Sequence, residues 1–136
     1  MSCDIHLHAE VKINGTWHHY AQPECYQYYP LFEKMAGVRG DVAKAIAAPR
    51  GLPDDASVVT KFDAEKWGED GHSHSWLSAT EIAQLAAWEK ALHAPDYHAP
   101  TWDGWLFGQT YSGFTKYPED RPAGLEDVRF VFWFDN

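Results

Sequence analysis

The chain predicts a single α+β domain built mainly on an antiparallel sheet. Three features predict it: an alternating amino-terminal segment that ends in Asn-Gly, an apolar segment near the carboxy terminus, and one well-capped helix between them. The 136 residues amount to one ordinary domain, 1–136, able to bury roughly two-thirds of the unfolded surface.

From residue 3 to residue 13 the alternation is strict. Cys3, Ile5, Leu7, Ala9, Val11 and Ile13 point one way, and Asp4, His6, His8, Glu10 and Lys12 point the other, which is the period of a half-buried strand. Asn14-Gly15 suits a type I′ turn, because both of its central positions need positive φ. A hairpin over residues 3–21 follows, with Ile13 opposite Thr16 and Glu10 opposite His19. A short helix opens at Pro30, buries Leu31, Phe32 and Met35, and stops at Gly37. Residues 41–48 suggest another short helix, ended by Pro49, and 64–67 a third.

Ser78-Ala79-Thr80-Glu81 is a capping box, with Leu77 and Ile82 as its hydrophobic staple. It opens the longest helix, about 79–93. Residues 95–126 are rich in Pro, Gly and aromatics and predict a surface excursion, with a strand near 105–111. Residues 128–135 are apolar at nearly every position, the pattern of a central strand covered on both faces.

Twenty acidic side chains against eleven basic ones leave a net charge of −9, which argues against nonspecific nucleic-acid binding. No stretch approaches the roughly 18 apolar residues of a membrane span. The first residues lack the basic and apolar regions of a signal peptide. Cys3 and Cys25 do not make a disulfide framework, so a reducing cytoplasm is the expected setting. Seven Trp, seven Tyr, seven Phe and eight His stand out; such residues build cores, ligand pockets and partner surfaces alike.

His6 and His8, two apart on a strand, project from one face about 7 Å apart, a spacing suited to one metal ion. Asp4, Glu10 and His19 share that face. A second His-x-His, His72 and His74, is placed on the loop entering the capped helix. The expected metal set is therefore His6, His8, His72 and His74, holding zinc or manganese. Ser73 and Ser75, at the free N–H groups of that helix, are candidate anion contacts. Arg39 and Arg50 lie beside glycines in loops and suit bidentate contacts to phosphate, although Asp54 or Asp55 could instead pair with Arg50. Trp76 and Trp133 are candidate stacking surfaces, and Asp135 is expected beside Asp4 if the first and last strands are neighbours.

Asp4-Ile5-His6-Leu7-His8 resembles the first metal motif of amidohydrolases and of polymerase-and-histidinol-phosphatase-type phosphoesterases, whose barrel needs about 200 residues or more. A wider resemblance spans nearly the whole chain. It rests on Cys3-Asp4-Ile5-His6, Tyr29-Pro30-Leu31-Phe32 through Ala36-Gly37-Val38-Arg39, Pro49-Arg50-Gly51-Leu52-Pro53-Asp54-Asp55, Asp70-Gly71-His72-Ser73 with Ser75-Trp76-Leu77, and Val131-Phe132-Trp133-Phe134-Asp135-Asn136. In these stretches the chain resembles a family of small uncharacterised bacteriophage and prophage proteins. The resemblance implies a matching set of Asp4, His6, Arg39, Arg50, Asp54, His72, Trp133 and Asp135.

Three functions are compatible with these residues. The first is a metal-dependent hydrolase of a small phosphate ester or nucleotide. In it Asp4, His6, His72 and Asp135 are catalytic, and Arg39 or Arg50 steadies the phosphate. The second is a non-catalytic counter-defence protein that sequesters a small anionic ligand such as a signalling nucleotide. Here Arg39, Arg50, Asp54, Ser75, Trp76 and Trp133 contact the ligand. The third is a protein-binding inhibitor. The first two both require His6 and His72 in a common cleft.

Overall fold

The computed structural model describes residues 2–25, 27–92 (without the Lys90 side chain) and 123–136. Strand β1, Asp4–Ile13, turns through Asn14 and Gly15 into β2, Thr16–Ala21. Both turn residues have positive φ, 50° and 81°. Ile13 pairs with Thr16 and Glu10 with His19, as the two-residue turn requires, and a bulge follows between Ala9 and Glu10.

Helix α1, Tyr29–Ala36, carries Pro30 in its first turn and ends at Gly37, φ 76°, whose N–H donates to the Glu33 carbonyl. It buries Leu31, Phe32, Met35 and Ala36. The helix expected at 41–48 is only one 3₁₀ turn, Val42–Lys44, capped by Asp41. Ala45 is already extended and Pro49 disfavours helix in the residue before it.

Helix α2, Val58–Trp67, is longer than the 64–67 expected, because the Ser57 side chain caps it at Thr60. Strand β3, Gly71–Ser78, replaces the expected loop and runs directly into helix α3, Ala79–Ala91, through the complete capping box of Ser78 and Glu81. Strand β4, Leu125–Asp135, closes the sheet. The strand expected near 105–111 lies outside the described residues.

The sheet order is β2-β1-β4-β3, antiparallel at every pairing. β4 is thus central. Phe130, Phe132 and Phe134 point to one face, where they pack with Leu7, Ala9, Leu31, Phe32, Met35, Leu77, Ile82 and Leu85. Those residues come from β1, α1, β3 and α3, so this face is the apolar core. Arg129, Val131, Trp133 and Asp135 point to the other face, which α2 covers. No helix among the described residues is long and apolar enough to cross a membrane.

Replacing Ser78 by Ala removes the acceptor for the Glu81 N–H at the start of α3. The expected loss is about 1 kcal/mol, read as a lower urea midpoint with an unchanged slope.

Candidate functional site

The face under α2 is polar and aromatic. Trp133, fully buried, is its centre. Three imidazole rings lie nearly parallel to its indole: His6 at 6.0 Å between centroids, His8 at 5.2 Å and His74 at 5.6 Å. His6 stands opposite Trp133 on β1 and meets Asp135, two residues on, through Nε2 at 2.7 Å from Oδ2. Trp67, the last residue of α2, covers His6 with a centroid distance of 4.0 Å. His8 is buried and uses both nitrogens. Nε2 lies 2.8 Å from Asp63 Oδ2, a contact that sets it as the donor, and Nδ1 lies 2.9 Å from His19 Nε2. Asp63 and Trp67 therefore hold α2 to the sheet through histidines rather than through apolar packing.

Further along the same face, Glu10 has no exposed surface. Its carboxylate accepts from the Ser57 N–H at 2.8 Å, the Thr60 hydroxyl at 2.8 Å and Arg129 Nε at 2.9 Å. Burial alone would raise the Glu10 pKa, but these hydrogen bonds outweigh it and hold the carboxyl below its ordinary value. Arg129 also reaches Asp55 at 3.0 Å and lies over the Trp17 ring at 4.0 Å. Bonds at several of its lone pairs are what let a charge persist in such a place.

His72 is on the opposite side. It pairs with Phe134, whereas His6 pairs with Trp133, and neighbouring residues of one strand face opposite ways. A bulge between His72 and Ser75 inserts one extra residue, so Ser73 and His74 share the single position opposite Trp133. His74 takes the indole side and Ser73 takes φ 55°. The expectation that His6 and His72 share a cleft is corrected here, and with it the joint catalytic set of Asp4, His6, His72 and Asp135. The four-histidine metal set is divided too: His6, His8 and His74 on one face, His72 on the other. Among the described residues, no group of three or more His, Cys, Asp or Glu side chains is arranged to hold a metal ion.

On the α1 side a cleft of about 360 Å³ is lined by Ala36, Val38, Arg39, Pro49, His72, Ser73 and Asn136, with Gly37 and Val42 at its wall. Arg39 has φ 59° and its guanidinium lies 5.3 Å from the centre of the Tyr29 ring. The loop that carries it is tightly bound. Gly40 N–H donates to the Gly37 carbonyl at 3.3 Å and Asp41 N–H to Glu33 Oε2 at 2.8 Å. A Cβ on Gly37 would stand 2.5 Å from Val42 Cα, so the loop can close only with glycine there. His72 Nε2–H donates to Asn136 Oδ1 at 3.0 Å, and its Nδ1 accepts from the Ser73 hydroxyl at 3.0 Å. Comparison with known proteins adds no relative: no family model, curated protein or solved structure matches the chain.

The remaining expected residues have local uses. Arg50 pairs with Glu81 at 2.7 and 2.6 Å, not with Asp54 or Asp55, and lies 4.2 Å from the centre of the Trp76 ring. That hydrogen-bonded pairing raises the Arg50 pKa and lowers that of Glu81. Ser75 is a buried strand residue whose hydroxyl accepts from the Arg50 N–H at 3.1 Å, and the helix start is satisfied by Ser78 instead. Asp4, opposite Asp135 as expected, accepts from Gln27 at 3.1 Å. Asp54 lines a separate cleft of about 510 Å³ with Leu52, Pro53, Lys61, Ala64 and Glu65. Sequence reasoning missed Asp63 and Trp67, which sit on a helix it had cut short, and it gave no role to Asn136; Ser73, whose hydroxyl it had offered with that of Ser75 to an anion at the helix start, lines the cleft instead.

Two outcomes are expected. Arg129→Met leaves Glu10 charged and buried, and destabilises by about 3–5 kcal/mol, whereas the Glu10→Leu/Arg129→Met double variant loses less. Urea unfolding of the three variants against the parent measures this. The second outcome concerns pH. Burial, and then the neighbouring His8 or His72, lowers the pKa of His19 and His74 below the ordinary 6.5. The unfolded chain thus protonates first, so their contribution is complete above that value and is lost as pH falls through the folded pKa values. Glu10 and Glu81, also lowered, add a second loss beginning below their ordinary 4.5. Thermal melts from about pH 8 to about pH 3 should fall in two stages, with the upper stage flattened by His19→Gln with His74→Gln.

Proposed function

We propose that this protein binds a small phosphate-bearing anion in the cleft between α1 and the end of β3. One observation carries the proposal: a guanidinium, Arg39, and three hydrogen-bonding side chains, His72, Ser73 and Asn136, line a single cleft. Arginine suits bidentate contact with phosphate oxygens, and the hydroxyl and amide supply further hydrogen bonds. Ala36, Val38, Val42 and Pro49 offer an apolar wall to the rest of the ligand. A volume of about 360 Å³ is at the small end of the range for small-molecule pockets, which suits a mononucleotide or something smaller. The bound loop around Arg39 means that little chain has to be ordered on binding, which favours affinity.

The resemblance to phage proteins supports a signalling nucleotide as the first ligand to try, and sequestration as the use made of it. The donors expected for a zinc or manganese centre lie mostly across the sheet, so the binding rests on Arg39 and its neighbours alone.

Calorimetry against inorganic phosphate and a panel of linear and cyclic nucleotides tests this. Binding of at least one should weaken tenfold or more, about 1.4 kcal/mol, in Arg39→Ala. The bound nucleotide should return intact after denaturation if sequestration is its fate. No uptake by the parent protein, or equal uptake by Arg39→Ala, rejects the cleft as an anion site.

A further inference from the structure

The hydrogen bonds inside this cleft do more than line it. Ser73 Oγ, His72 and Asn136 form a continuous chain: hydroxyl to Nδ1 at 3.0 Å, then Nε2–H to Oδ1 at 3.0 Å. The amide oxygen can only accept, so it keeps the proton on Nε2 and leaves Nδ1 as a base facing the hydroxyl. This is the order of parts in a nucleophile–base–orienter triad, with asparagine as the orienter, as in cysteine–histidine–asparagine sites. The two ring nitrogens exchange their usual roles because Ser73 follows His72 directly in the chain.

A second observation is independent of the hydrogen bonds. Among the described residues only three other than glycine have positive φ: Asn14, Arg39 and Ser73. Asn14 is explained by the hairpin turn. Arg39 and Ser73 both line this cleft. Backbone strain of this kind costs of order 1–3 kcal/mol, and it collects where a side chain has to be aimed. At Ser73 it comes from a bulge, a feature that re-aims side chains beside active sites. A serine nucleophile on a strained turn is a known way of exposing the hydroxyl.

We infer that Ser73 is the nucleophile of an acyl-ester hydrolase, with His72 as its general base and Asn136 as the positioning residue. The inference rests on the anion cleft for its substrate class, an ester with a phosphate or carboxylate group for Arg39. In the first step Ser73 Oγ bonds to the ester carbonyl carbon, its proton passes to His72 Nδ1, and the carbonyl π pair moves onto oxygen. The tetrahedral adduct then re-forms the carbonyl, the carbon–alkoxy bond breaks, and the alcohol leaves with the proton from Nδ1. Water repeats the sequence on the acyl-serine, releases the carboxylic acid and restores the Ser73 hydroxyl. No oxidant, reductant or metal enters the balance.

A fluorophosphonate reagent tests the nucleophile, because it labels an activated serine without needing the anion contact. Intact mass should rise by one organophosphoryl group, and peptide mapping should place it on Ser73. Ser73→Ala should take up none. His72→Gln should label at least about 100-fold more slowly. Asn136→Leu should slow labelling at least about tenfold while Asn136→Asp, which keeps an acceptor, retains it. Circular dichroism establishes that each variant is folded. An unlabelled parent, a label on another residue, or an unchanged rate in folded His72→Gln overturns the inference. Nucleotide uptake without labelling overturns the nucleophile and leaves the anion cleft standing; labelling that survives Arg39→Ala while no anion binds supports the nucleophile and rejects the anion cleft.

Discussion

The pairing of β4 with β1 on one side and β3 on the other sets the address of every side chain considered above. Strand residues alternate between faces, so a neighbour's register fixes which of its own residues join which chemistry. The phenylalanines of β4 recruit α1 and α3 to one face. His6, His8 and Glu10 of β1 hold α2 to the other through Trp67, Asp63 and Thr60. A one-residue slip of β1 on β4 would bring His6 into the phenylalanine layer and expose Leu7. The buried hydrophobic set therefore protects the polar face against such a slip.

The two faces are built on different physical terms. The apolar face gains from area removed from water, is non-directional and tolerates repacking. The polar face is held by directed bonds: Asp63 to His8, Ser57 and Thr60 to Glu10, Arg129 to Glu10. Each such bond contributes little net stability, yet leaving any of these buried groups unmatched is expensive. Such a face specifies one position for α2 more sharply than an apolar stripe would. It also explains how a helix whose buried residues are only Thr60 and Ala64 stays on the sheet.

What was legible in the sequence was what local signals encode. Asn14-Gly15 gave the hairpin and its register, Ser78 with Glu81 gave the start of α3, and the unbroken apolar run gave a central strand. Asp4 and Asp135 were expected together only if the first and last strands were neighbours, a pairing that no local signal encodes and that the register supplies. Strand β3 was not legible. It is an edge strand of alternating His and Ser, with no apolar period until Trp76. Helix α2 was obscured for the converse reason: Val58, Val59 and Phe62 are exposed at 83%, 46% and 70%, so its apolar residues do not mark its buried side. The bulge at Ser73 carries no glycine or proline to announce it, and it is the bulge that separated His72 from His74. Tyr29 and Arg39 became neighbours only through the fold of the α1 terminus.

The bulge has one more consequence. Ser73 and His72 are neighbours in the chain, so the bulge that sets Ser73 at φ 55° also sets how its hydroxyl meets the imidazole. Asn136 comes from the far end of the chain, one residue beyond Asp135, where β4 stops. The third member is therefore held in place by the pairing of Asp135 with Gly71 rather than by a neighbouring peptide bond. Any process that peels the last residues of β4 from Gly71 would unlatch the imidazole while leaving the hydroxyl in place, so the end of the strand works as a clasp on the cleft.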